Sequence, residues 1–126
     1  MAKREIIEIP GVSHQNPIPM GAKIGNLIFS SAIPGLDPEA KSLPEDPDKQ
    51  AEVLFRNIRT FMERAGGSPE DIIRMTVYVK EEQYRDSINK EWLKMFPDEK
   101  DRPARHTIKS PIRGDMLFQI ELVAVL

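Results

Sequence analysis

The alternation of apolar and polar residues in the first third of the chain predicts short strands separated by turns. Residues Arg4 to Ile9 alternate loosely and end at Pro10-Gly11, a pair that breaks a strand. Ala22 to Ala32 then forms two apolar pieces split by Gly25-Asn26, which is typical of a β-hairpin. The segment Pro34 to Pro47 holds four prolines and many charges, and is therefore predicted to be an irregular surface segment.

Apolar residues at helical spacing predict two helices. The first begins at Asp46-Pro47, an N-cap followed by proline at the first helical position, and stops at Gly66-Gly67. Its apolar stripe consists of Ala51, Leu54, Phe55, Ile58, Phe61, Met62 and Ala65. Ser68 to Asp71 has the form of a capping box and predicts a single turn. The second helix is predicted over Glu81 to Phe96, with a stripe of Tyr84, Ile88, Trp92, Met95 and Phe96.

Three further strands are predicted over Ile73 to Val79, Ala104 to Ser110 and Met116 to Val125. In the first of these, one face carries Ile73, Met75, Val77 and Val79, and the other carries Arg74, Thr76 and Tyr78. In the last strand, one face carries Met116, Phe118, Ile120, Leu122 and Ala124, and the other carries Leu117, Gln119, Glu121, Val123 and Val125. Because both faces of the last strand are largely apolar, both are expected to be buried.

The order of these elements predicts one α+β domain over residues 1–126, a sandwich of a mixed six-stranded sheet with both helices on one face. Two helices cover only one face of a sheet, so the second apolar face needs another cover. Self-association in a closed ring is the simplest cover, and it would place Glu121 at a subunit boundary.

Composition narrows the possible functions. The 18 Lys and Arg residues nearly balance the 20 Asp and Glu residues, which argues against binding to nucleic acid or to a membrane surface. The chain has no cysteine, so thiolate catalysis and cysteine-bearing zinc sites are excluded. His14 and His106 have no third ligand at a zinc-like spacing, and no metal site is expected. With no signal peptide or membrane-spanning apolar run, the protein is predicted to be cytoplasmic.

Several short motifs, in order along nearly the whole chain, resemble those of the Rid (YjgF) family. They are Gly25-Asn26-Leu27-Ile28-Phe29-Ser30-Ser31, Gln50 with Asn57, Ala65-Gly66, Thr76-Val77-Tyr78-Val79, Asn89 with Phe96, Pro103-Ala104-Arg105 and Ile120-Glu121. The resemblance implies a chorismate-mutase-like fold, a homotrimer whose sheets line a central barrel, and sites in the clefts between subunits.

The same resemblance implies an activity that repairs metabolite damage. Family members that keep the arginine hydrolyse enamines and imines of the 2-aminoacrylate type to 2-keto acids and ammonia, without metal or organic cofactor. The chain would then be a hydrolase acting on C–N bonds, similar to 2-iminobutanoate/2-iminopropanoate deaminase. Its partners would be a small carboxylate substrate and further copies of itself.

Site residues follow from the positions that match the family motifs. The resemblance implies that Arg105 binds the substrate carboxylate and that Glu121 positions or activates water. It also implies substrate contacts from Asn89 and from the positions now occupied by Thr107, Ser31 and Ala32. Thr107 stands where a cysteine is common and Ala32 where a glycine is usual. Ile18 stands where many members carry a tyrosine, so the pocket wall and the substrate are expected to differ.

Simpler interpretations exist for these residues and for the whole protein. Arg105 is also consistent with a structural salt bridge, Glu121 with an interface charge, Asn89 with a loop contact and Thr107 with a β-branched strand residue. The tyrosines, Trp92 and the methionines are expected to pack in the core. Alternative functions are a deaminase for an aminomuconate-like intermediate, a trimeric carboxylate-binding regulatory protein without turnover, and a ribonuclease or translation inhibitor.

Overall fold

A computed structural model describes residues 3–126 as one mixed sheet covered on one face by two helices. The strands are β1 Glu5–Ile7, β2 Gly21–Ile24, β3 Leu27–Ser30, β4 Ile33–Pro34, β5 Ile72–Val79, β6 Ala104–Lys109 and β7 Phe118–Val125. The helices are α1 Pro47–Arg64 and α2 Arg85–Met95, with short 3-10 turns at Pro69–Asp71 and Glu82–Tyr84. Each of the six predicted strands is present, and the two-residue β4, which the sequence pattern missed, is a seventh.

The sheet is mixed because two neighbouring strands, β5 and β6, run parallel. The strands lie in the order β1-β2-β3-β7-β5-β6, and β4 adds to the side of β7. All neighbouring pairs are antiparallel except β5 and β6, which are joined through α2. This arrangement makes β6 an edge strand whose outer backbone groups have no partner strand within residues 3–126.

Helix α1 begins and ends where the sequence predicts. The Asp46 side chain accepts a hydrogen bond from the backbone N–H of Lys49 at 3.0 Å, and Pro47 occupies the first helical position. The helix ends before Gly66, whose φ of 90° is strained for residues with a side chain. Ser68 and Asp71 form the predicted capping box of the next turn.

The core lies between the helices and one face of the sheet. Its fully buried side chains include Ile28, Leu54, Ile58, Phe61, Met75, Val77, Ile88, Phe118 and Ile120. Helix α2 is fixed beside α1 by polar contacts as well: the Ser87 hydroxyl donates to Asp48 Oδ1 at 2.6 Å, and Lys90 Nζ donates to Asp48 Oδ2 at 2.7 Å. The orientation of α2 therefore determines which of its side chains reach β6.

The opposite face of the sheet is open and carries large apolar side chains. Leu27 is 47% exposed and Phe29 is 57% exposed, and Val123 beside Phe29 is only partly covered. One chain alone leaves this face of the last strand partly exposed, as expected for a sheet covered by only two helices. Its burial by self-association stays a prediction.

Ile73 was predicted to share the core face with Met75, and this prediction is wrong. A β-bulge lies between Ile72 and Arg74, where the pairing with β7 shifts by one residue. Ile72, only 5% exposed, takes the core position, and Ile73 is 56% exposed. An extra residue in one strand interrupts the alternation of faces, and for that reason the pattern placed Ile73 incorrectly.

Two buried amides hold the irregular segment between β4 and α1 onto the helix. Asn57 Nδ2 donates to the carbonyls of Pro34 and Leu36, both at 2.9 Å. Gln50 Nε2 donates to the carbonyl of Pro44 at 2.9 Å, and Gln50 Oε1 accepts from the backbone N–H of Leu117 at 2.7 Å. These bonds satisfy backbone groups that the segment itself leaves without partners.

We expect Gln50→Leu to lower the free energy of unfolding by about 2–3 kcal/mol, because the buried N–H of Leu117 and carbonyl of Pro44 lose their partner. Urea unfolding at matched protein concentration measures the change. Arg56→Ala, on the exposed side of the same helix, is the control and should change stability by less than about 0.5 kcal/mol. Equal effects of the two variants would contradict a structural role for the amide.

Candidate functional site

Arg105 lies on the helix-covered face of the sheet, near the edge formed by β6. It pairs with Met75, whose side chain is in the core, so both residues point towards the helices. The guanidinium carbon stands 5.1 Å from the centre of the Trp92 ring of α2, and Arg105 Nε donates to Thr107 Oγ1 at 2.8 Å. The side chain is half-buried and held in place by a cation–π contact and a hydrogen bond.

The electrostatic surroundings of Arg105 favour a bound anion. Burial, and secondarily the positive charge of Arg85, lower the pKa of Arg105 from its usual value, yet an arginine remains charged at neutral pH. No carboxylate within residues 3–126 forms a salt bridge with it. A half-buried cation without a counter-ion attracts an anion more strongly than an exposed one does.

Helix α2 contributes a second set of polar side chains to the same place. Arg85, Asn89 and Trp92 follow one another at helical spacing and therefore share one face of α2. Arg85 Nη2 donates to the carbonyl of Thr107 at 3.3 Å, and Asn89 is exposed between Arg85 and Trp92. We call this group, made of Arg85, Asn89, Trp92, Arg105 and Thr107, the arginine cluster. It brings together three residues that the sequence predicted: Arg105, Thr107 and Asn89.

Glu121 lies on the open face of the sheet, beside Thr76 of the neighbouring strand. Its Oε1 accepts a hydrogen bond from the Tyr78 hydroxyl at 2.8 Å. This bond, followed by desolvation, raises the pKa of Tyr78 above its usual value, so the phenol keeps its proton and acts as the donor at neutral pH. Glu121 and Arg74 border a cleft of about 320 Å³, which we call the glutamate cleft.

Ser31 and Ala32 lie next to the glutamate cleft, between β3 and β4. The Ser31 hydroxyl donates to the carbonyl of Pro19 at 2.8 Å, so this side chain ties two loops together. Directly before it, Ser30 Oγ accepts from the backbone N–H of Leu122, the residue after Glu121. Ser31 and Ala32 thus follow directly after Ser30, which lines the glutamate cleft. Ile18, in the loop before β2, is 48% exposed.

Within one chain, Arg105 and Glu121 point to opposite faces of the sheet. Met75 of β5 pairs with Arg105 on one side and with Leu122 on the other. Thr76, the next residue, pairs with His106 and Glu121. Because neighbouring residues of a strand alternate between faces, a small molecule that contacts Arg105 cannot also contact Glu121 of the same chain.

A cleft larger than the glutamate cleft contains none of the predicted site residues. It measures about 670 Å³ and lies between the start of β5 and the loop after α2. Its charged lining residues are Glu70, Asp71, Asp98, Asp101 and Arg102. Since this lining is mainly acidic, it suits a carboxylate ligand poorly, and we place the candidate site at the arginine cluster and the glutamate cleft instead.

The sequence interpretation missed the parts played by Tyr78, Trp92 and Arg85. Tyr78 was expected in the core, which is wrong: it lies on the open face, as its alternation with Val77 and Val79 already indicated. Trp92 is buried and packs against Phe96 as predicted, with 4.9 Å between ring centres, but it also lies under Arg105. Nothing in the local sequence indicated the contact of Arg85 with β6.

Two further observations concern cofactors and membranes. Residues 3–126 contain no group of three or more His, Cys, Asp or Glu side chains arranged to hold a metal ion. In the same range, no helix combines the length and the hydropathy required to span a bilayer.

Comparison with known proteins agrees with this fold. A RutC family protein of Pyrococcus abyssi is 29% identical over 126 residues, covering 98% of each chain. The 2-iminobutanoate/2-iminopropanoate deaminase of Salmonella typhimurium is 27% identical, covering 86% of this chain and 87% of its own. The crystal structure of Escherichia coli TdcF with bound serine superposes with a TM-score of 0.88 at 26% identity, covering 97% of this chain and 98% of that one.

TdcF shares the overall fold of the present chain, and the family assignment rests on the match to a family model. The family described as Endoribonuclease L-PSP matches residues 15–126, which is most of the chain. The chain therefore belongs to this family, which is the YjgF/Rid family.

Proposed function

We propose that the protein hydrolyses imines of 2-keto acids to the keto acids and ammonia, at sites shared between neighbouring copies of a homotrimer. The observation that carries the proposal is the half-buried guanidinium of Arg105, fixed by Trp92 and Thr107 and without a carboxylate partner within residues 3–126. The Salmonella typhimurium relative named as an imine deaminase and the serine-bound relative TdcF support a small amino-acid-derived ligand.

The need for two chains follows from the geometry of the sheet. Arg105 and Glu121 of one chain face opposite ways, while the open face and the β6 edge both lack a cover. If the β6 side of one chain packs on the open face of the next, Arg105 of the first approaches Glu121 of the second. The same contact repeated around a closed ring covers every open face.

The proposed reaction uses the two halves for different tasks. Arg105 binds the substrate carboxylate through its free guanidinium edge, which orients the electrophilic imine carbon. Water adds to that carbon while Glu121 of the neighbouring chain takes one of its protons, and the proton passes to the nitrogen. Glu121 then carries the hydroxyl proton of the carbinolamine to the amino nitrogen, the C–N bond breaks and ammonia leaves, and the hydroxyl oxygen becomes the keto oxygen. Imine and water are thus converted to keto acid and ammonia in balance.

Tyr78 keeps the carboxyl group of Glu121 in place for this step. Its hydroxyl donates a hydrogen bond to Oε1 of Glu121, and Oε2 has no hydrogen-bond partner within residues 3–126. With Oε1 held by the phenol, Oε2 is left to accept a hydrogen bond from water. We therefore propose that Glu121 acts on the water through Oε2.

Arg105→Ala should lower kcat/KM for 2-iminopropanoate by about 10²-fold or more, because the anchoring of the carboxylate is lost. The imine is generated in place by an amino-acid oxidase, and its decay is followed by trapping with semicarbazide. Arg59→Ala, an exposed arginine on α1, serves as the matched control and should retain full activity. If the wild-type protein binds a keto acid but does not accelerate imine decay, it is a binding protein without turnover.

Mixed oligomers test whether the site is shared between chains. We expect trimers made only of Arg105→Ala chains, and trimers made only of Glu121→Gln chains, to be inactive. Glu121→Gln should lower the activity by about 10²- to 10⁴-fold, because the proton transfer is lost. Co-expression with two different tags, followed by two affinity steps, isolates trimers that contain both variants. Each such ring has one intact site out of three, so about one third of wild-type activity should return. No recovered activity in these mixed trimers would contradict the shared site.

Tyr78→Phe should lower kcat by about 5- to 30-fold and leave KM within about twofold, because one hydrogen bond to Glu121 is lost while Arg105 is unchanged. Steady-state kinetics on 2-iminopropanoate measures both constants. In the Glu121→Gln background, the same substitution should have little further effect. A rise in KM at constant kcat would show that Tyr78 contacts the substrate instead.

A further inference from the structure

Arg85 places a second guanidinium beside Arg105. The two side chains meet at Thr107, where the hydroxyl accepts from Arg105 Nε at 2.8 Å and the backbone carbonyl accepts from Arg85 Nη2 at 3.3 Å. Both cations are thus held against one short piece of β6, and the charge of Arg85 contributes to the lowered pKa of Arg105. Two adjacent positive charges repel each other unless an anion lies near them.

Arg85 is the first residue of α2, directly after the 3-10 turn Glu82–Tyr84, and its backbone N–H is bonded to carbonyls of that turn. The acidic neighbours are Glu82, which pairs with Arg85, and Asp86 in the first turn.

The ion pair between Arg85 and Glu82 shows that the Arg85 guanidinium can bind a carboxylate. Glu82 contacts Arg85 Nε, and the side chains are 59% and 39% exposed, respectively. Exposed pairs of this kind contribute little to stability, so they exchange easily for another carboxylate. A ligand therefore competes with Glu82 for Arg85 at little cost.

We propose that Arg85 is a specificity-determining residue that binds a second carboxylate, so that the site takes imines derived from dicarboxylic amino acids. This inference rests on the proposed function. Arg105 holds the carboxylate next to the imine carbon, over Trp92, while Arg85 reaches the backbone carbonyl of Thr107 from α2. A carboxylate on the substrate side chain reaches this second position, whereas the methyl group of a monocarboxylic imine does not.

The free donors of the two arginines favour two acid groups over one. Both guanidinium groups contact Thr107, Arg105 at its hydroxyl and Arg85 at its backbone carbonyl. Arg105 also retains its two terminal nitrogens for one carboxylate, since its Nε is occupied by Thr107. A single carboxylate is therefore satisfied by Arg105 alone, and Arg85 is left for another group.

The test compares 2-iminopropanoate with 2-iminoglutarate, both generated in place by amino-acid oxidases. Wild-type protein should process the dicarboxylic imine with the higher kcat/KM. Arg85→Met should raise KM for 2-iminoglutarate by about 10- to 100-fold more than it raises KM for 2-iminopropanoate, which lacks the second carboxylate. Arg85→Lys should restore part of the loss, because it keeps the charge without the planar fork. Arg59→Met is the matched control and should behave as wild type with both imines.

The outcomes separate this inference from the proposed function. If the wild type accelerates the decay of neither imine, the proposed function fails. If it processes 2-iminopropanoate and Arg85→Met changes KM for the two imines equally, or for neither, the second carboxylate contact is wrong while the deaminase activity stands. Because Arg85 is partly exposed at the start of α2, thermal unfolding of the Arg85→Met variant should match the wild type and confirm that the fold is intact.

Discussion

The alternation of side chains along β5 is the constraint on which the rest of the structure depends. Met75, Val77 and Val79 face the helices and form the centre of the core, and Thr76 and Tyr78 face the other way. Residues that pair across neighbouring strands share a face of the sheet. Arg105 of β6 therefore lies on the helix side and Glu121 of β7 on the open side. One sheet thus carries two polar groups of different chemistry, separated by its own thickness. The proposed assembly is the arrangement in which the two come together.

Most of the fold was predictable because its elements have strong local patterns. Helix α1 combines a capping aspartate, a proline at the first position and a long apolar stripe, and each of these features agrees with the others. Two details were not predictable from periodicity. The bulge at Ile73 adds one residue to β5 and reverses the faces before it, and β4 contains only two residues, which is too short for any alternation to be visible.

The candidate site was predictable to a smaller extent, and for different residues by different routes. Arg105 and Glu121 came from a resemblance, and their roles stay predictions. The position of Tyr78 on the open face was predictable from the strand pattern, because Tyr78 alternates with two buried valines. Arg85 was not, since its meeting with Thr107 depends on how α2 packs between α1 and β6, a tertiary relation that no short segment encodes.

Trp92 has a consequence beyond its support of Arg105. It is the only tryptophan in the chain, and its ring lies 5.1 Å from the guanidinium carbon. Indole fluorescence is sensitive to nearby charge, so the emission of the unlabelled protein comes from one fluorophore in contact with the arginine cluster. Binding of an anion to this cluster can therefore be followed by tryptophan fluorescence, in the native sequence and without a dye.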